Sequence, residues 1–425
     1  MTDSTDRFGN PIDPTVGYAR GPVLRSTAEE VAKTLHARRI VRALTAARGR
    51  EKIVDLSGMN RGAGLRASDL AHLDSHVPFF AAFEGEAEPL ALRHMGADPG
   101  RHDALVLNRV SAANFLALTT LLRTGDRVLA LAPPGGVTHP SVVRPIAMAG
   151  AVLDQHHAID SLAAAWRFAP PRLLILTPIS ASKRHLTLDA FQRALDLPRG
   201  SDTLVYVDDA HMASRVGFFG EPRTFEVGPI DLAVCSSDKH VAGPRAGVLV
   251  GRKDLITALR SLAYELGLEA QASQYVGVMN ALRDFDPKPI AEAGELAKDL
   301  LRIVERRYGE RRVYLGGPGV SMTGEDALDV GREIAGRPVS LALVPVEASA
   351  LVALEMLATD GILTIAAVAM PGSAPVVRLM MYPDGVKVGA EGIADSLHRA
   401  LESLGGMLDD AEAARRRLLG DAQRA

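Results

Sequence analysis

The stretch VCSSDKHVAGPRAGVLVG, residues 234–251, decides how the rest of the chain is interpreted. An apolar run leads into two serines, an acid, Lys239 and a histidine, and the chain then turns through Gly-Pro into a second apolar run. Lysine is rarely buried, and a lone lysine at such a place is typical of a solvated hairpin tip. Whether Lys239 has a chemical role therefore depends on the residues that accompany it.

The composition of the 425 residues is typical of a globular protein. Hydrophobic residues make up 47% and charged residues 23%, and the formal net charge of −3 gives no general attraction to nucleic acid or to an anionic membrane. The single cysteine, Cys235, excludes an intrachain disulfide and indicates a reducing compartment. No apolar run approaches the length of about 18 residues that a membrane span needs, and the first residues are polar. We therefore expect a soluble, cytoplasmic protein.

Short apolar runs alternate with helical patterns from about residue 103 onward. The runs are DALVLNR (103–109), RVLALAPP (127–134), RLLILTP (172–178), TLVYVDDAH (203–211), DLAVCSS (231–237) and AGVLVGR (246–252). Strands that are apolar on both faces and alternate with helices indicate a parallel or mixed sheet that is covered by helices on each side. The expected fold class is α/β.

The same pass along the chain predicts three parts. An N-terminal arm and helix occupy residues 1–75, a large domain 76–285, and a smaller α+β domain 286–425. The helix over 26–49 begins with a capping-box pattern and carries a basic face, which is either a solvated surface or a contact for a phosphate backbone. We expect the charged tail, 409–425, to be a solvated helix.

Four predicted strand ends carry residues of chemical interest, and open α/β sheets bind ligands at these ends. Ser111 and Ala112 open a helix whose backbone N–H groups suit a phosphate, although serine is also a common helix cap. His139 follows a Gly-Gly turn and could stack on a planar ring or be an incidental loop residue. Asp208 directly follows an apolar strand, where a carboxylate is costly to bury unless it meets a cation. The fourth end leads to Lys239.

Together these residues have the chemistry that pyridoxal 5'-phosphate requires. Its aldehyde needs an amine, its pyridine nitrogen a carboxylate, its phosphate a helix start, and its ring a flat partner. No metal site is expected.

The chain also resembles a known family at phrases that occur in the same order. They are LNRVSA (107–112), APPGGVTHPS (132–141), VDDAH (207–211), CSSDKHVAGPRAG (235–247) and GLEAQ (267–271). They are similar to motifs of fold-type I pyridoxal-phosphate enzymes, above all to the branch of bacterial selenocysteine synthase (L-seryl-tRNA(Sec) selenium transferase) and its archaeal relatives. The resemblance covers roughly residues 50–405. It implies a large domain with a mostly parallel seven-stranded sheet between helices, and a small C-terminal α+β domain.

The resemblance implies a role for each matching residue. Lys239 would bind the cofactor as a Schiff base, Asp208 would pair with the pyridine nitrogen, and His139 would stack on the ring. Further cofactor contacts are expected from Ser111, Ala112, His211, Ser236 and Ser237. Substrate contacts are expected from Arg378 on a late strand, from Arg245 in the Gly-Pro-Arg turn, and from Asn60 and Arg61 of a neighbouring subunit.

We expect a lyase or transferase that acts on a small amino acid, or a substrate derived from one, by β-elimination or β-replacement. Its assembly would be a homodimer or a higher homo-oligomer with shared active sites. Aldolase, aminotransferase or racemase chemistry on the same cofactor is an open alternative, as is modification of seryl-tRNA through the basic helix. A scaffold without activity would leave unexplained why Asp208 and Lys239 occur together.

Overall fold

A computed structural model describes residues 5–59, 62–72, 75–136, 138–338 and 340–420. Its strands are β1 (Ile12–Asp13), β2 (Tyr18–Ala19), β3 (Val54–Asp55), β4 (His102–Leu107), β5 (Arg127–Leu131), β6 (Val152–His156), β7 (Leu173–Leu176), β8 (Leu204–Asp208), β9 (Leu232–Ser236), β10 (Gly247–Arg252), β11 (Tyr314–Leu315), β12 (Gly319–Thr323), β13 (Ile362–Leu363) and β14 (Val376–Met380).

Its helices are α1 (Thr27–Arg48), α2 (Ala67–Leu70), α3 (His76–Phe83), α4 (Ala87–Met95), α5 (Val110–Leu121), α6 (Pro140–Met148), α7 (Ile159–Phe168), α8 (Leu188–Asp196), α9 (Met212–Phe219), α10 (Thr224–Val227), α11 (Lys253–Glu265), α12 (Ala272–Arg283), α13 (Lys288–Tyr308), α14 (Gly324–Ala335), α15 (Pro345–Asp360), α16 (Ile365–Val368), α17 (Gly389–Gly405) and α18 (Ala411–Leu419). Within the described residues, no helix has the length and apolar character to cross a membrane.

The chain divides into two compact units. Residues 59–288 form one, which we call the sheet unit, and residues 1–58 together with 289–425 form the other, which we call the terminal unit. The N-terminal segment that the sequence sets apart as 1–75 is thus shared between both, because its arm and helix pack with the C-terminal part of the chain.

A mixed sheet of seven strands, counted over the described residues, forms the centre of the sheet unit. Its order is β4-β10-β9-β8-β7-β5-β6; β10 runs antiparallel to both of its neighbours, and the other pairs are parallel. The expected α/β class and mostly parallel seven-stranded sheet are therefore confirmed. The edge strand β6 was not among the predicted runs, because its sequence VLDQH is half polar and Val152 is 61% exposed.

The sheet forms here because its central strands bury both of their faces. Successive residues of a strand point to opposite sides. In β8, Val205 and Val207 enter the core on one face, whereas Tyr206 enters the core on the other. Helices that cover both faces leave only the strand ends open to a ligand, so β8 presents Asp208 at its carboxyl end.

The terminal unit combines an antiparallel sheet, β11-β12-β14, with helices and the parallel pair β13 and β3. Helix α1 begins close to the predicted position: Ser26 is its N-cap and accepts from the backbone N–H of Ala28 at 3.2 Å. The expectation of a solvated tail is wrong for α18. Leu418 and Leu419 are buried in the core of this unit, since the helix has an apolar side as well as its charged one.

Candidate active site

Two neighbouring strand ends place the central residues of the site. Strands β8 and β9 are parallel, and Asp208, the last residue of β8, lies opposite Val234 of β9. Strand β9 then ends at Ser236, and the loop that follows carries Lys239. Because both strands end at the same edge of the sheet, a carboxylate and an amine thirty-one positions apart in sequence come together.

Asp208 is a buried carboxyl group with unused hydrogen-bonding capacity. It is 5% exposed, and among the described residues its Oδ1 has no hydrogen-bond partner. Burial raises its pKa, while the positive charge of Lys239 and the backbone N–H of Ala210 oppose that rise. A buried polar atom without a partner is unusual in proteins and is common at functional sites. Oδ1 is therefore a ready acceptor for an N–H group of a ligand.

The adjacent carboxylate, Asp209, is already engaged. It accepts from Arg215 Nη2 at 2.7 Å and from Thr224 Oγ1 at 2.8 Å, and the side chains of both Asp209 and Arg215 are fully buried. This ion pair neutralises Asp209 inside the fold. Of the two consecutive aspartates, Asp208 is thus the one with an oxygen left for a ligand.

The loop that carries Lys239 is closed by its own hydrogen bonds. Ser237 Oγ donates to the carbonyl of Pro244 at 2.6 Å, and the N–H of Gly243 donates to the carbonyl of Ser237 at 3.0 Å. A side chain at Gly243 would place its Cβ 2.6 Å from that same carbonyl oxygen, so the close turn requires glycine. Lys239 itself is half-buried and forms an isolated antiparallel bridge with Met59.

The two serines of this loop donate their hydroxyl hydrogens within it. Ser236 Oγ donates to Asp238 Oδ1 at 2.6 Å, and Ser237 donates as described above. A phosphate oxygen accepts hydrogen bonds, so each hydroxyl would have to leave its present acceptor to bind one. Their expected contact with a phosphate stays a prediction.

The start of α5 lies close to the end of the loop that carries Lys239. Arg109 is the N-cap, Ser111 is exposed, and the N–H of Ala112 donates to the carbonyl of Arg109 at 3.1 Å. A Cβ on Gly247 would lie 2.7 Å from the carbonyl oxygen of Arg109, which is why a glycine opens β10. The N–H of Ala112 is thus already engaged, so its expected contact with a phosphate stays a prediction. The two N–H groups before it, those of Val110 and Ser111, are the ones that lack intrahelical acceptors in this first turn.

The GLEAQ phrase (267–271) and the helix α12 that follows it contact these two segments. The carbonyl of Leu268 accepts from Asn108 at 2.9 Å. Gln274 Nε2, in the first turn of α12, donates to the carbonyl of Asn108 at 2.9 Å and to that of Arg245 at 2.6 Å. One amide thus ties the start of α5 to the loop of Lys239.

Arg245, whose carbonyl accepts from Gln274, contributes positive charge at this place. Its Nε lies 3.5 Å from Asp238 Oδ2. Burial, and then the charge of Arg245, lower the pKa of Arg109, so the two guanidinium groups lie near each other. Two cations with one carboxylate between them favour an anionic ligand.

His139 caps α6 and belongs to a chain of hydrogen bonds. Its Nδ1 accepts from the N–H of Ser141 at 3.1 Å and lies 2.8 Å from Ser141 Oγ. Asn114 Nδ2 donates to the same Oγ at 3.0 Å, and Asn114 Oδ1 accepts from Tyr206 at 2.5 Å. Sequence reasoning missed Asn114, whose one signal is an amide within the apolar helix α5.

His211 and two residues that the sequence did not single out form a buried cluster. His211, the N-cap of α9, is 6% exposed, and its Nδ1 lies 2.8 Å from Lys183 Nζ. His240 follows Lys239 directly, and its Nδ1 lies 2.8 Å from Ser214 Oγ. The sequence does not predict the position of Lys183, because this residue lies in a loop outside all of the quoted motifs.

The remaining predicted residues are Arg378, Asn60 and Arg61. Arg378 is on β14 of the terminal unit, 7% exposed, and among the described residues its Nε has no hydrogen-bond partner. Burial lowers its pKa to about 10. Asn60 and Arg61 lie outside the described residues, so their expected contacts stay predictions.

Comparison with solved structures identifies the fold. The chain is similar to the alanine–glyoxylate aminotransferase of Nostoc sp., with a TM-score of 0.57 and 17% identity over 82% of this chain and 95% of that one. This likeness, and the sheet order above, give the chain the fold of the fold-type I pyridoxal-phosphate enzymes. Comparison with protein-family models returns no match.

Sequence relatives give a second, more specific similarity. A UPF0425 pyridoxal phosphate-dependent protein of Methanothermobacter thermautotrophicus is 29% identical over 403 residues, which are 94% of this chain and 100% of that protein. An L-seryl-tRNA(Sec) selenium transferase of Desulfomicrobium baculatum is 29% identical over 195 residues, which are 41% of this chain and 39% of that protein. The resemblance to selenocysteine synthase and its archaeal relatives is thereby confirmed.

Proposed function

We propose that this chain is a pyridoxal-phosphate enzyme that acts at Cα and Cβ of a small amino acid, by β-elimination or β-replacement. The observation that carries the proposal is the buried Asp208, with Oδ1 unpartnered among the described residues, beside Lys239 at adjacent strand ends. The name of the Methanothermobacter relative supports the cofactor, and the partial similarity to a selenium transferase supports the reaction class.

The residues at the strand ends fit this cofactor. Asp208 Oδ1 is an open acceptor suited to the N–H of a protonated pyridine ring, and Asp209, held by Arg215, does not compete. The first turn of α5 offers N–H donors, and Arg109 and Arg245 offer positive charge for a phosphate dianion. Half-buried His139 offers a flat ring whose orientation is fixed through Ser141.

Bound pyridoxal phosphate supplies an electron sink that makes hydrogen at a substrate Cα acidic. Asp208 would keep a proton on the ring nitrogen. Lys239 would hold the cofactor covalently through Nζ, and the same amine, when free, would be the base for the α-proton. The contact of Arg378 with a substrate carboxylate stays a prediction; its guanidinium is buried, its Nε has no hydrogen-bond partner among the described residues, and such a group suits an anion.

The basic helix α1 keeps only part of its predicted basic face available for a role on tRNA. Of the basic residues along α1, Lys33 is buried and donates to the carbonyl of Ala366 at 2.8 Å. Arg39 donates to the carbonyl of Leu419 at 3.2 Å. Lys33 is thus withdrawn from a phosphate backbone, whereas Arg38, Arg42 and Arg48 of the same helix are exposed, so the tRNA alternative stays open.

The test is a product analysis with the purified, cofactor-saturated protein and a panel of amino acids. Substrates with a leaving group on Cβ, such as O-phosphoserine or cysteine, should release that group together with pyruvate and ammonia, or form a β-substituted product when a thiol is added. Alanine, threonine and glutamate with a keto acid serve as the panel for racemisation, aldol cleavage and transamination. Turnover confined to that second panel would refute β-chemistry while keeping the cofactor.

A further inference from the structure

A second lysine lies buried in the sheet unit near the site. Lys183 belongs to the loop after β7, is 2% exposed, and has a φ of 68°, in the left-handed region that favours glycine. A buried ammonium group and a left-handed backbone at a residue other than glycine both cost free energy. Neither the motifs nor the roles above use this residue, so its position needs another explanation.

The contact of Lys183 with His211 restricts the imidazole. An ammonium group has three hydrogens to donate and no acceptor. At a distance of 2.8 Å between Lys183 Nζ and His211 Nδ1, the lysine is the donor and Nδ1 the acceptor. A neutral imidazole carries one hydrogen, which must then be on Nε2.

The second histidine of the cluster is also kept neutral. His240 has a φ of 59°, is fully buried, and lies 2.8 Å through Nδ1 from Ser214 Oγ. Burial, and then the positive charges of Lys183 and Lys239, hold its pKa well below its usual range. Lys183 thus contacts His211 and places its positive charge near His240.

We propose that Lys183 is a positioning residue, which fixes the hydrogen of His211 on Nε2 so that this ring donates a hydrogen bond and does not act as a base. His211 would then not compete with Lys239 for the α-proton. That last step rests on the proposed function, whereas the state of His211 rests on the 2.8 Å contact alone.

The test is NMR of the full-length protein with isotope-labelled histidine, recorded as purified and again with added pyridoxal phosphate. Loss of one signal in His211→Gln assigns His211. In the wild type we expect the correlation pattern of a ring with hydrogen on Nε2 and a bare Nδ1. Lys183→Met, which keeps the length of the side chain, should lose the fixed pattern, and Lys183→Arg should restore it. Lys253→Met, an exposed lysine of the same unit, is the matched control.

Hydrogen on Nδ1 of His211 in the wild type would overturn the proposal, as would an unchanged His211 pattern in a folded Lys183→Met. If that variant does not fold, the wild-type pattern alone decides. None of these readings requires turnover, so they stay separate from the product analysis. A protein without β-chemistry could still have the fixed ring, and an active enzyme could lack it.

Discussion

At the scale of the residue, Asp208 and Asp209 have different tasks although they are neighbours in sequence and both buried. Asp209 stabilises the fold through Arg215 and Thr224. Asp208 keeps an oxygen without a partner among the described residues, beside the positive charge of Lys239. Substitution of each aspartate by asparagine should therefore affect different properties of the protein.

Asp208→Asn should fold and still bind the cofactor through Lys239, while its exchange of the substrate α-hydrogen with deuterated water falls much further than its cofactor affinity. The amide cannot keep the ring nitrogen protonated, which is what carbanion formation at Cα requires. Exchange is measured by mass spectrometry with saturating cofactor, and cofactor affinity by titration. An exchange rate equal to that of the wild type would make Asp208 a structural residue.

Asp209→Asn is the matched comparison. It leaves the guanidinium of Arg215 buried with one carboxylate fewer, and breaking such a pair typically costs about 3–5 kcal/mol of unfolding free energy. Chemical denaturation should show that loss in Asp209→Asn and a smaller one in Asp208→Asn. The reverse order would contradict the division of tasks between the two aspartates.

Lys239→Ala should abolish covalent capture of the cofactor by the peptide that contains position 239. Borohydride reduction of the wild type should fix the cofactor to the peptide that contains Lys239, as mapped by mass spectrometry. The buried amine of Lys183 makes a second map necessary, since it could react once Lys239 is absent. A wild-type digest without label at Lys239 would refute the assignment of the cofactor lysine.

At the scale of the element, the sequence predicts what apolar periodicity controls. The predicted runs 203–211 and 231–237 contain strands β8 and β9, which end at Asp208 and Ser236, and the parallel pairing of these strands explains why Asp208 and Lys239 meet. Half-polar β6 was missed because an exposed edge strand lacks that signal. The contacts of Asn114 and Lys183 were missed because they depend on loop paths, which tertiary packing sets and periodicity does not.

Helix α1 carries a pH-dependent element of stability. Burial lowers the pKa of Lys33 to about 8 from its usual 10.5, so between these values the unfolded chain binds more protons than the folded one. The free energy of unfolding of the wild type therefore gains from this group as pH rises through that window. Lys33→Met lacks the gain, so its stability relative to the wild type should be highest near pH 7 and decline toward about pH 10.

The measurement is urea denaturation at several pH values. Lys52→Met, at an exposed position shortly after the same helix, is the control and should follow the wild type at every pH. A stability difference between Lys33→Met and the wild type that stays constant across the window would show that Lys33 is neutral, or equally protonated, in both states.

At the scale of the whole molecule, we predict at least a homodimer in which Asn60 or Arg61 of one subunit enters the site of the other. Gly64, with a φ of 66°, lies so close to α12 that a Cβ would come within 2.5 Å of the carbonyl oxygen of Gly277, and Met59 bridges to Lys239. The described residues on both sides of positions 60 and 61 are thus held within the sheet unit.

Light scattering measures the assembly, and mixed subunits test the sharing of sites. Lys239→Ala and Arg61→Ala, each inactive alone, should regain part of the activity when unfolded together and refolded, because one hybrid site has both native residues. An active monomer, or hybrids that stay inactive while folding normally, would place the loop in the site of its own subunit.

The surroundings of Cys235 have a practical consequence for spectroscopy. The thiol is buried within β9, and burial, followed by the charge of Asp209, raises its pKa. Reagents that attack thiolates should therefore leave Cys235 unmodified in the folded protein and modify it in urea, as a thiol titration under both conditions would show. The native chain then behaves as a cysteine-free background: one cysteine introduced at position 61 would carry a fluorophore or spin label alone, and the distance between labels would report where that loop lies in the assembled enzyme.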